Sequence, residues 1–136
     1  MDNKEIYADR LSAVRKYLVD HDLNGALFTS YENRRYFSGF TGSNGYLIIN
    51  FDKAVLITDK RYTTQAQQQC VGVEVVEYLK DRAGMVCRFI QDMGIDRIVM
   101  EGCLTMDEYL PLKERLGDIY VTFEQARLFY PTYADI

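Results

Sequence analysis

The sequence has few of the side chains from which most catalytic and metal sites are built. Its 136 residues include one His, no Trp and three Cys. Cys70, Cys87 and Cys103 form neither a C-x-x-C pair nor a zinc-ligand spacing, and an odd number of thiols cannot all pair within the chain. These absences disfavour an enzyme assembled from this chain alone, and they favour free thiols in a reducing, cytoplasmic compartment.

The chain also lacks an excess of positive charge and any long hydrophobic run. Twenty Asp and Glu residues against sixteen Lys and Arg residues leave a formal net charge of −4, which disfavours nucleic acid or an anionic membrane as the main partner. No segment approaches the roughly 18 apolar residues of a membrane span, and the first ten residues carry no apolar leader, so neither insertion nor secretion is expected. Residues 1–136 are predicted to form one domain around a single core.

Apolar periodicity predicts an alternation of helices and strands. Tyr7, Leu11, Val14 and Leu18 recur at helical spacing and predict a first amphipathic helix. Further helices are predicted at 62–70, 86–93 and 105–116. Short apolar runs bounded by turn residues predict strands at 26–28, 45–49, 54–57, 73–78, 98–100 and 119–123, with the second and third forming a hairpin. This order predicts an α/β domain with a mixed β-sheet flanked by helices.

Particular residues indicate where several elements begin and end. Thr105 and Glu108 form a capping-box pattern at the start of the last helix, although Pro111 removes a backbone hydrogen bond from it. Asp59 is placed to cap the helix at 62–70. His21 lies at the end of the first helix, where the helix dipole favours it as a surface cap. Residues 127–136 fit no element and are predicted to begin a connection or a cut terminus.

Residues 33–45 form the first candidate site, with a glycine at every third position from 39 to 45. Neither G-x-G-x-x-G nor G-x-x-x-x-G-K-[ST] is present, and a loop that leads into a strand lacks the helix N-terminus of a phosphate site. The structural interpretation, which physical reasoning favours, is a tight loop in which the glycines supply positive φ. The arginines and aromatics of residues 34–37 and 40 suit instead an interface or the rim of a pocket.

Residues 58–62, directly after a predicted strand, form the second candidate site. Asp59 and Arg61 can pair, with the guanidinium presenting its fork to a carboxylate. The alternative, which is favoured on sequence grounds, makes Asp59 a helix cap and Arg61 a solvated residue of the first turn.

Taken in order, these segments resemble a known family. The resemblance is carried by the N-x-x-Y-x-S-G-F-x-G-S run at 33–43, the T-D-x-R-Y run at 58–62, the strand at 23–29 and the segment at 97–101. It covers about residues 5–123 and is closest to the N-terminal domain of the creatinase/prolidase family, above all that of bacterial Xaa-Pro aminopeptidases and Xaa-Pro dipeptidases.

The resemblance implies a ribonuclease-H-like fold and a non-catalytic role. In the family, a C-terminal pita-bread domain holds two divalent metal ions, usually Mn, Co or Zn, and no residue of this chain matches that ligand set. The N-terminal domain covers the cleft that admits short proline-containing peptides, and it contributes to a homodimer. Its cleft-facing groups are expected among Asn33, Arg35, Tyr36, Phe40, Ser43, Asp59, Arg61 and Tyr62.

Two alternatives stay open beside this interpretation. The chain could be a free-standing small-molecule or peptide-binding module of the same fold, with Arg34, Arg35 and Arg61 meeting a carboxylate. It could also be an enzyme in its own right that uses paired acids, for which Asp59 and Glu101 are the obvious candidates.

Overall fold

A computed structural model describes residues 2–131, which alternate between helices and strands. The elements in chain order are α1 (Asn3–Asp20), β1 (Gly25–Phe28), α2 (Tyr31–Ser38), β2 (Tyr46–Ile49), β3 (Ala54–Thr58), α3 (Thr63–Gln69), β4 (Glu74–Glu77), α4 (Arg82–Asp92), β5 (Arg97–Glu101), α5 (Met106–Leu116), β6 (Tyr120–Glu124) and a 3₁₀ turn (Ala126–Leu128). Every predicted helix and strand is present, and α2 is an addition to them. No helix within residues 2–131 is long and apolar enough to cross a membrane.

The strands described in residues 2–131 form one six-stranded mixed sheet in the order β4-β3-β2-β1-β5-β6. β2 is antiparallel to β1 and β3, as the predicted hairpin requires, and the other neighbouring pairs are parallel. All strands except β2 therefore run in one direction. This arrangement confirms the predicted α/β class and the ribonuclease-H-like fold that the family resemblance implied.

Helices cover both faces of the sheet and create two apolar cores. On one face α1, α2 and α3 pack over a core that includes Phe28 and Leu56, and on the other α4 and α5 pack over one that includes Leu27 and Val55. Adjacent strand residues thus point into different cores, because successive side chains of a strand face opposite sides. Burial on both faces explains why the central strands read as continuous apolar runs.

The predicted loop at 33–45 is wrong in its first half, where α2 forms. Ser30 caps this helix by accepting a hydrogen bond from the Asn33 backbone N–H, and Gly39 ends it with a φ of 85°. The helix escaped detection because its buried residues include Asn33, Arg34 and Ser38, so it shows no apolar stripe. The remaining residues, 39–45, form the tight loop that leads into β2.

The predicted cap by Asp59 is also wrong. α3 begins at Thr63, and its N-cap position is occupied by Tyr62, which makes no side-chain capping bond. Asp59 lies one turn earlier and accepts a hydrogen bond from the Arg61 backbone N–H at 2.9 Å. By contrast, the capping box between Thr105 and Glu108 is confirmed, and α5 continues through Pro111.

The segment after β6 packs against the domain at residues where no element was predicted. The Phe129 ring contacts Tyr17 and Phe28 with centroid separations of 5.1 and 4.9 Å, and Tyr130 is buried. The last five residues of the predicted connection, 132–136, lie outside the described residues.

The three cysteines, all within residues 2–131, are free thiols, and burial raises the pKa of Cys70 and of Cys87 to about 11.

Candidate functional site

One edge of the sheet collects most of the polar side chains that the sequence singled out. Asp59 follows β3, Glu101 ends β5 and Asn44 precedes β2. Because β3 and β5 run in one direction and β2 runs opposite to both, these three positions lie at the same edge. The carboxyl edge of α/β sheets is where such folds commonly bind ligands.

Asp59 is the centre of the first polar group at this edge, the Asp59 cluster, which comprises Asn44, Asp59, Arg61 and Tyr78. Arg61 donates through Nε to Asp59 Oδ1 at 3.1 Å and through Nη2 to Oδ2 at 2.8 Å. Asn44 Nδ2 donates to Asp59 Oδ2 at 2.6 Å and to the Tyr78 hydroxyl at 2.8 Å. The predicted pairing of Asp59 with Arg61 is therefore present and has the two-pronged geometry that fixes a guanidinium.

These contacts hold Asp59 in its ionised form. Hydrogen bonds from Arg61, with a further bond from Asn44, lower the pKa of Asp59 to about 2. The Asp59 side chain is only 14% exposed, whereas that of Arg61 is 72% exposed. The cluster therefore fixes an exposed guanidinium on a largely buried anion.

Ser43 and Tyr62 adjoin the Asp59 cluster. These two residues, together with Asp59 and Arg61, are called the rim. Their hydroxyl groups lie 2.5 Å apart, which joins the loop before β2 to the start of α3. The Tyr62 ring lies under the Arg61 guanidinium at 5.1 Å and meets the edge of Phe40 at 6.2 Å. Ser43 is exposed and Tyr62 is half-buried, whereas Phe40 is fully buried. Phe40 thus supports the rim from the core.

Arg82 brings α4 to the same edge. Its Nη1 lies 3.5 Å from Asn44 Oδ1, and its guanidinium lies 5.0 Å from the centre of the Tyr46 ring. The Tyr46 hydroxyl donates to Glu108 at 3.2 Å. Burial, with a contribution from Glu108, raises the pKa of Tyr46 to about 12, so this hydroxyl stays protonated. Sequence patterns do not reveal Arg82 or Tyr46, because neither belongs to a motif.

Glu101 is the centre of the second polar group, the Glu101 network, which comprises Thr29, Ser30, Asn33 and Glu101. Its side chain is 1% exposed. Oε1 accepts from the backbone N–H groups of Thr29 and Ser30, and Oε2 accepts from the Ser30 hydroxyl and from Asn33 Nδ2 at 2.8 Å. Four donors within the chain thus satisfy a buried carboxyl group, as burial of such a group requires.

Asn33 links the Glu101 network to the segment that leaves β6. Its Nδ2 donates to the Ala126 carbonyl at 2.9 Å as well as to Glu101. Its Oδ1 is buried and has no hydrogen-bond partner within residues 2–131. Asn33 therefore fastens α2 to β5 and to the 3₁₀ turn, and it faces the interior rather than the rim.

The other arginines and aromatics of α2 have different surroundings. Arg34 is buried, donates to the Gly42 carbonyl at 2.9 Å and holds the loop before β2, so it is not placed to meet a carboxylate from outside. Burial lowers the pKa of Arg34. Arg35 is exposed and contacts the Tyr31 hydroxyl at 3.2 Å. The Tyr36 ring packs 4.1 Å from the Arg10 guanidinium, beneath α1.

The predicted site residues thus separate into three places. Ser43, Asp59, Arg61 and Tyr62 come together at the rim, with Phe40 beneath them. Asn33 belongs to the Glu101 network, and Arg35 and Tyr36 lie on α2. Within residues 2–131, no three His, Cys, Asp or Glu side chains are grouped as metal ligands. Asp59 and Glu101, the two acids considered as a catalytic pair, belong to separate groups.

The fold and this edge define a three-layer α/β domain with a polar carboxyl edge, one part of which is sealed and one part exposed. The family profile described as the creatinase/prolidase N-terminal domain matches residues 10–129. The chain therefore belongs to the creatinase/prolidase N-terminal domain family.

Relatives and solved structures agree with this assignment. An uncharacterized peptidase, YqhT, of Bacillus subtilis is 38% identical over 92 residues, which are 68% of this chain and 26% of that protein. The Xaa-Pro dipeptidase from Bacillus anthracis superposes with a TM-score of 0.83 at 28% identity, over 90% of this chain and 34% of that one. The chain thus spans about a quarter to a third of the length of these two relatives.

A separately determined N-terminal domain is similar in size to this chain. The N-terminal domain of the cytoplasmic peptidase PepQ from Mycobacterium tuberculosis superposes with a TM-score of 0.76 at 29% identity. The match covers 86% of this chain and 93% of that domain. The chain thus corresponds to the N-terminal domain of the family.

Proposed function

We propose that this chain is the non-catalytic N-terminal domain of an Xaa-Pro metallopeptidase. In this role it contributes to dimerisation and shapes the cleft that admits short proline-containing peptides. The family match over residues 10–129 supports the domain assignment. The names of the relatives, an Xaa-Pro dipeptidase and probable Xaa-Pro aminopeptidases among them, support the substrate class.

The observation that carries the cleft-shaping role is the Asp59 cluster. Arg61 is 72% exposed, yet both prongs of its guanidinium are held by the Asp59 carboxylate. A fixed, exposed guanidinium can meet a carboxylate or carbonyl of a peptide while losing little side-chain entropy. Ser43 and Tyr62 add hydroxyl groups beside it. The cluster therefore has the properties of a cleft rim.

The catalytic chemistry belongs, in this proposal, to a partner domain of the same polypeptide. That domain would hold the two divalent metal ions, Mn, Co or Zn, which activate water for attack on the peptide bond. In this proposal the residues of this chain bind and orient the short peptide and exclude longer ones. They take no part in bond cleavage. A cytoplasmic location is proposed with this role, on the model of the cytoplasmic peptidase among its neighbours.

Turnover by the isolated chain tests whether catalysis requires the partner domain. The purified chain, given manganese or cobalt and an Xaa-Pro dipeptide, is expected to release no free proline. A chimera in which residues 1–131 replace the N-terminal domain of the Bacillus anthracis Xaa-Pro dipeptidase is expected to do so. Metal-dependent cleavage that follows the isolated chain through purification would contradict the proposal, as would a folded chimera without activity.

Calorimetry distinguishes the alternative of a free-standing binding module. In that case Arg61 and Arg35, both exposed, would bind the carboxylate of a peptide or small molecule without another domain. Titration of the isolated chain with Xaa-Pro dipeptides is expected to give no heat of binding at micromolar concentrations, because half a cleft supplies too few contacts. Micromolar binding that is lost in Arg61→Ala would favour the alternative instead.

A further inference from the structure

The outer edge of the sheet at β6 is open within residues 2–131. β6 is the last strand in the sheet order and pairs there with β5 alone. Its five residues, Tyr-Val-Thr-Phe-Glu, include no Lys, Arg or Pro. Edge strands usually carry such residues where pairing with another chain must be avoided. β6 therefore lacks the usual protection of an exposed edge.

The backbone of β6 presents a regular set of hydrogen-bonding groups to this edge. Tyr120 N–H donates to the Asp96 carbonyl at 2.9 Å, and the Glu124 carbonyl accepts from Gly102 N–H at 2.8 Å. Alternate residues of a strand direct their N–H and C=O groups to opposite sides. Since residues 120, 122 and 124 face β5, the N–H and C=O groups of Val121 and Phe123 face outward.

Exposed apolar side chains accompany this open backbone. Phe123 is 44% exposed, and its ring contacts Tyr109 of α5 at a centroid distance of 5.2 Å. Met106 and Leu110, which lie one turn apart on α5, are 63% and 54% exposed. Exposed apolar side chains thus lie on both α5 and the edge strand, a composition typical of a protein interface rather than of a solvated surface.

We propose that β6 pairs antiparallel with β6 of a second copy of this chain, about a two-fold axis at Thr122. In the register that pairs all five residues, Val121 lies opposite Phe123 of the second copy. Both are the residues whose backbone groups face outward, so each such pair exchanges two hydrogen bonds, and four form in all. Thr122 meets Thr122 at the axis as the non-hydrogen-bonded pair.

The side chains of β6 complement their own copies in this register. Val121 and Phe123 form an apolar cross-strand pair, and the Tyr120 hydroxyl lies opposite the Glu124 carboxylate. Such pairs each contribute roughly 0.2–1 kcal/mol. The two-fold arrangement closes after two copies and leaves neither β6 edge open. Self-complementarity is therefore the property that selects a second copy as the partner.

The opposite edge of the sheet shows that this property is not general. β4 (Glu74–Glu77) is the other edge strand. In an antiparallel pair that matches all four of its residues, Glu74 would lie opposite Glu77 of the second copy, and like charges at directly opposite positions are destabilising. β4 is thus protected against self-pairing by its charges, whereas β6 is not.

The inference rests on the dimerisation part of the proposed function and assigns it a surface. Cross-linking tests the register. At a non-hydrogen-bonded antiparallel pair the Cα atoms lie about 4.5 Å apart, within the range of a disulfide. In a Cys103→Ser background, Thr122→Cys is expected to give a covalent dimer on mild oxidation. Tyr120→Cys is the matched control, because its two copies would lie about 13 Å apart along the strands.

Mass in solution tests the pairing itself. By sedimentation equilibrium the wild-type chain is expected to reach twice its 15.8 kDa mass with increasing concentration. Phe123→Pro removes one outward N–H without touching the bonds to β5, and it is expected to stay at 15.8 kDa with an unchanged circular dichroism spectrum. Phe123→Lys, which keeps the backbone intact, is expected to do the same and serves if the proline variant does not fold.

Three results would overturn the inference: a wild-type chain that stays monomeric, a folded Phe123→Lys chain that still dimerises, or cross-linking of Thr122→Cys no faster than that of Tyr120→Cys. These results are separable from a failure of the proposed function. A dimeric chain whose chimera lacks peptidase activity would count against the proposed function alone. An active chimera with a monomeric isolated chain would count against the β6 pairing alone.

Discussion

The Asp59 cluster and the Glu101 network use the same residue types at the same edge of the sheet, but they differ in what they leave for a ligand. Glu101 is 1% exposed, and donors from the β1–α2 turn and from α2 use both of its oxygens. Asp59 is also well satisfied, but one of its partners is Arg61, which is 72% exposed. The comparison shows that a carboxylate at a strand end can have all its partners inside the fold or can hold a side chain that reaches solvent.

The largest expected effect is the loss of a buried hydrogen-bond acceptor in the Glu101 network. Glu101→Gln turns two acceptors into one acceptor and one donor, so a buried donor of Thr29, Ser30 or Asn33 loses its partner. We expect a loss of about 3 kcal/mol in the free energy of unfolding, measured with urea. Glu114→Gln, an exposed residue of α5, is the control and is expected to change it by less than about 0.5 kcal/mol. Equal effects of the two would remove the distinction between a sealed and an open carboxyl group.

A smaller loss is expected when the network is cut at Asn33. Asn33→Ala removes the hydrogen bonds to Glu101 and to the Ala126 carbonyl, and we expect a loss of about 2 kcal/mol in the free energy of unfolding. Amide exchange at Leu128 and Phe129 is expected to quicken, because the 3₁₀ turn loses its anchor. Arg35→Ala, on the exposed side of the same helix, is the control. Unchanged exchange at the turn would show that Asn33 does not fasten it.

The Asp59 cluster is expected to affect stability mainly through pH. The pKa of Asp59 is about 2 in the folded chain and about 3.9 in an unfolded one. The contribution of the depressed pKa is fully present above pH ~4 and is lost as the pH falls through about 2. In urea titrations, the free energy of unfolding of Asp59→Asn should therefore fall less than that of the wild type as the pH is lowered from about 4 to about 2. Asp118→Asn controls for the loss of one carboxyl group. Asp118 lies just before β6, at the amino end of that strand. The same pH profile in wild type and Asp59→Asn would contradict this assignment.

At neutral pH the same Asp59→Asn change is expected to be mild. The guanidinium of Arg61 is largely exposed, so solvent screens its pairing with Asp59, and we expect a smaller loss than at Glu101. The contrast with Glu101→Gln is thus a contrast in the exposure of the hydrogen-bond donors and not in their number. A loss as large as that of Glu101→Gln would show that the Asp59 cluster stabilises the fold as strongly as the Glu101 network does.

Sequence patterns predicted the elements whose burial is apolar. β1, β2, β3 and β5 have continuous apolar runs because both of their faces are buried, and α5 carries its capping box in plain sequence. α2 was missed for the opposite reason. It buries Asn33, Arg34 and Ser38, and a buried polar face has no hydrophobic period from which a helix can be inferred.

The candidate site was predicted in part. The run at 58–62 indicated Asp59 and Arg61, and their pairing was visible as a possibility because they lie two residues apart. The role of Glu101 as a fastener could not be predicted, because its partners lie about 70 residues away in the chain and only the parallel pairing of β1 with β5 brings them together. The same reasoning explains why Asn33, expected among the cleft-facing groups, is buried and bonded to Glu101.

The most direct test of the difference between the two groups is peptidase activity in the chimera with the Bacillus anthracis catalytic half. Arg61→Ala is expected to lower kcat/KM for an Xaa-Pro dipeptide by about tenfold, or ~1.4 kcal/mol, with a smaller loss in the free energy of unfolding than that of Glu101→Gln. Arg88→Ala, an exposed arginine of α4, is the matched control. Glu101→Gln, assayed well below its unfolding temperature, is expected to keep the wild-type kcat/KM. Full activity in Arg61→Ala would contradict the role of the Asp59 cluster in the cleft. A lower kcat/KM in folded Glu101→Gln would contradict a purely structural role for the Glu101 network.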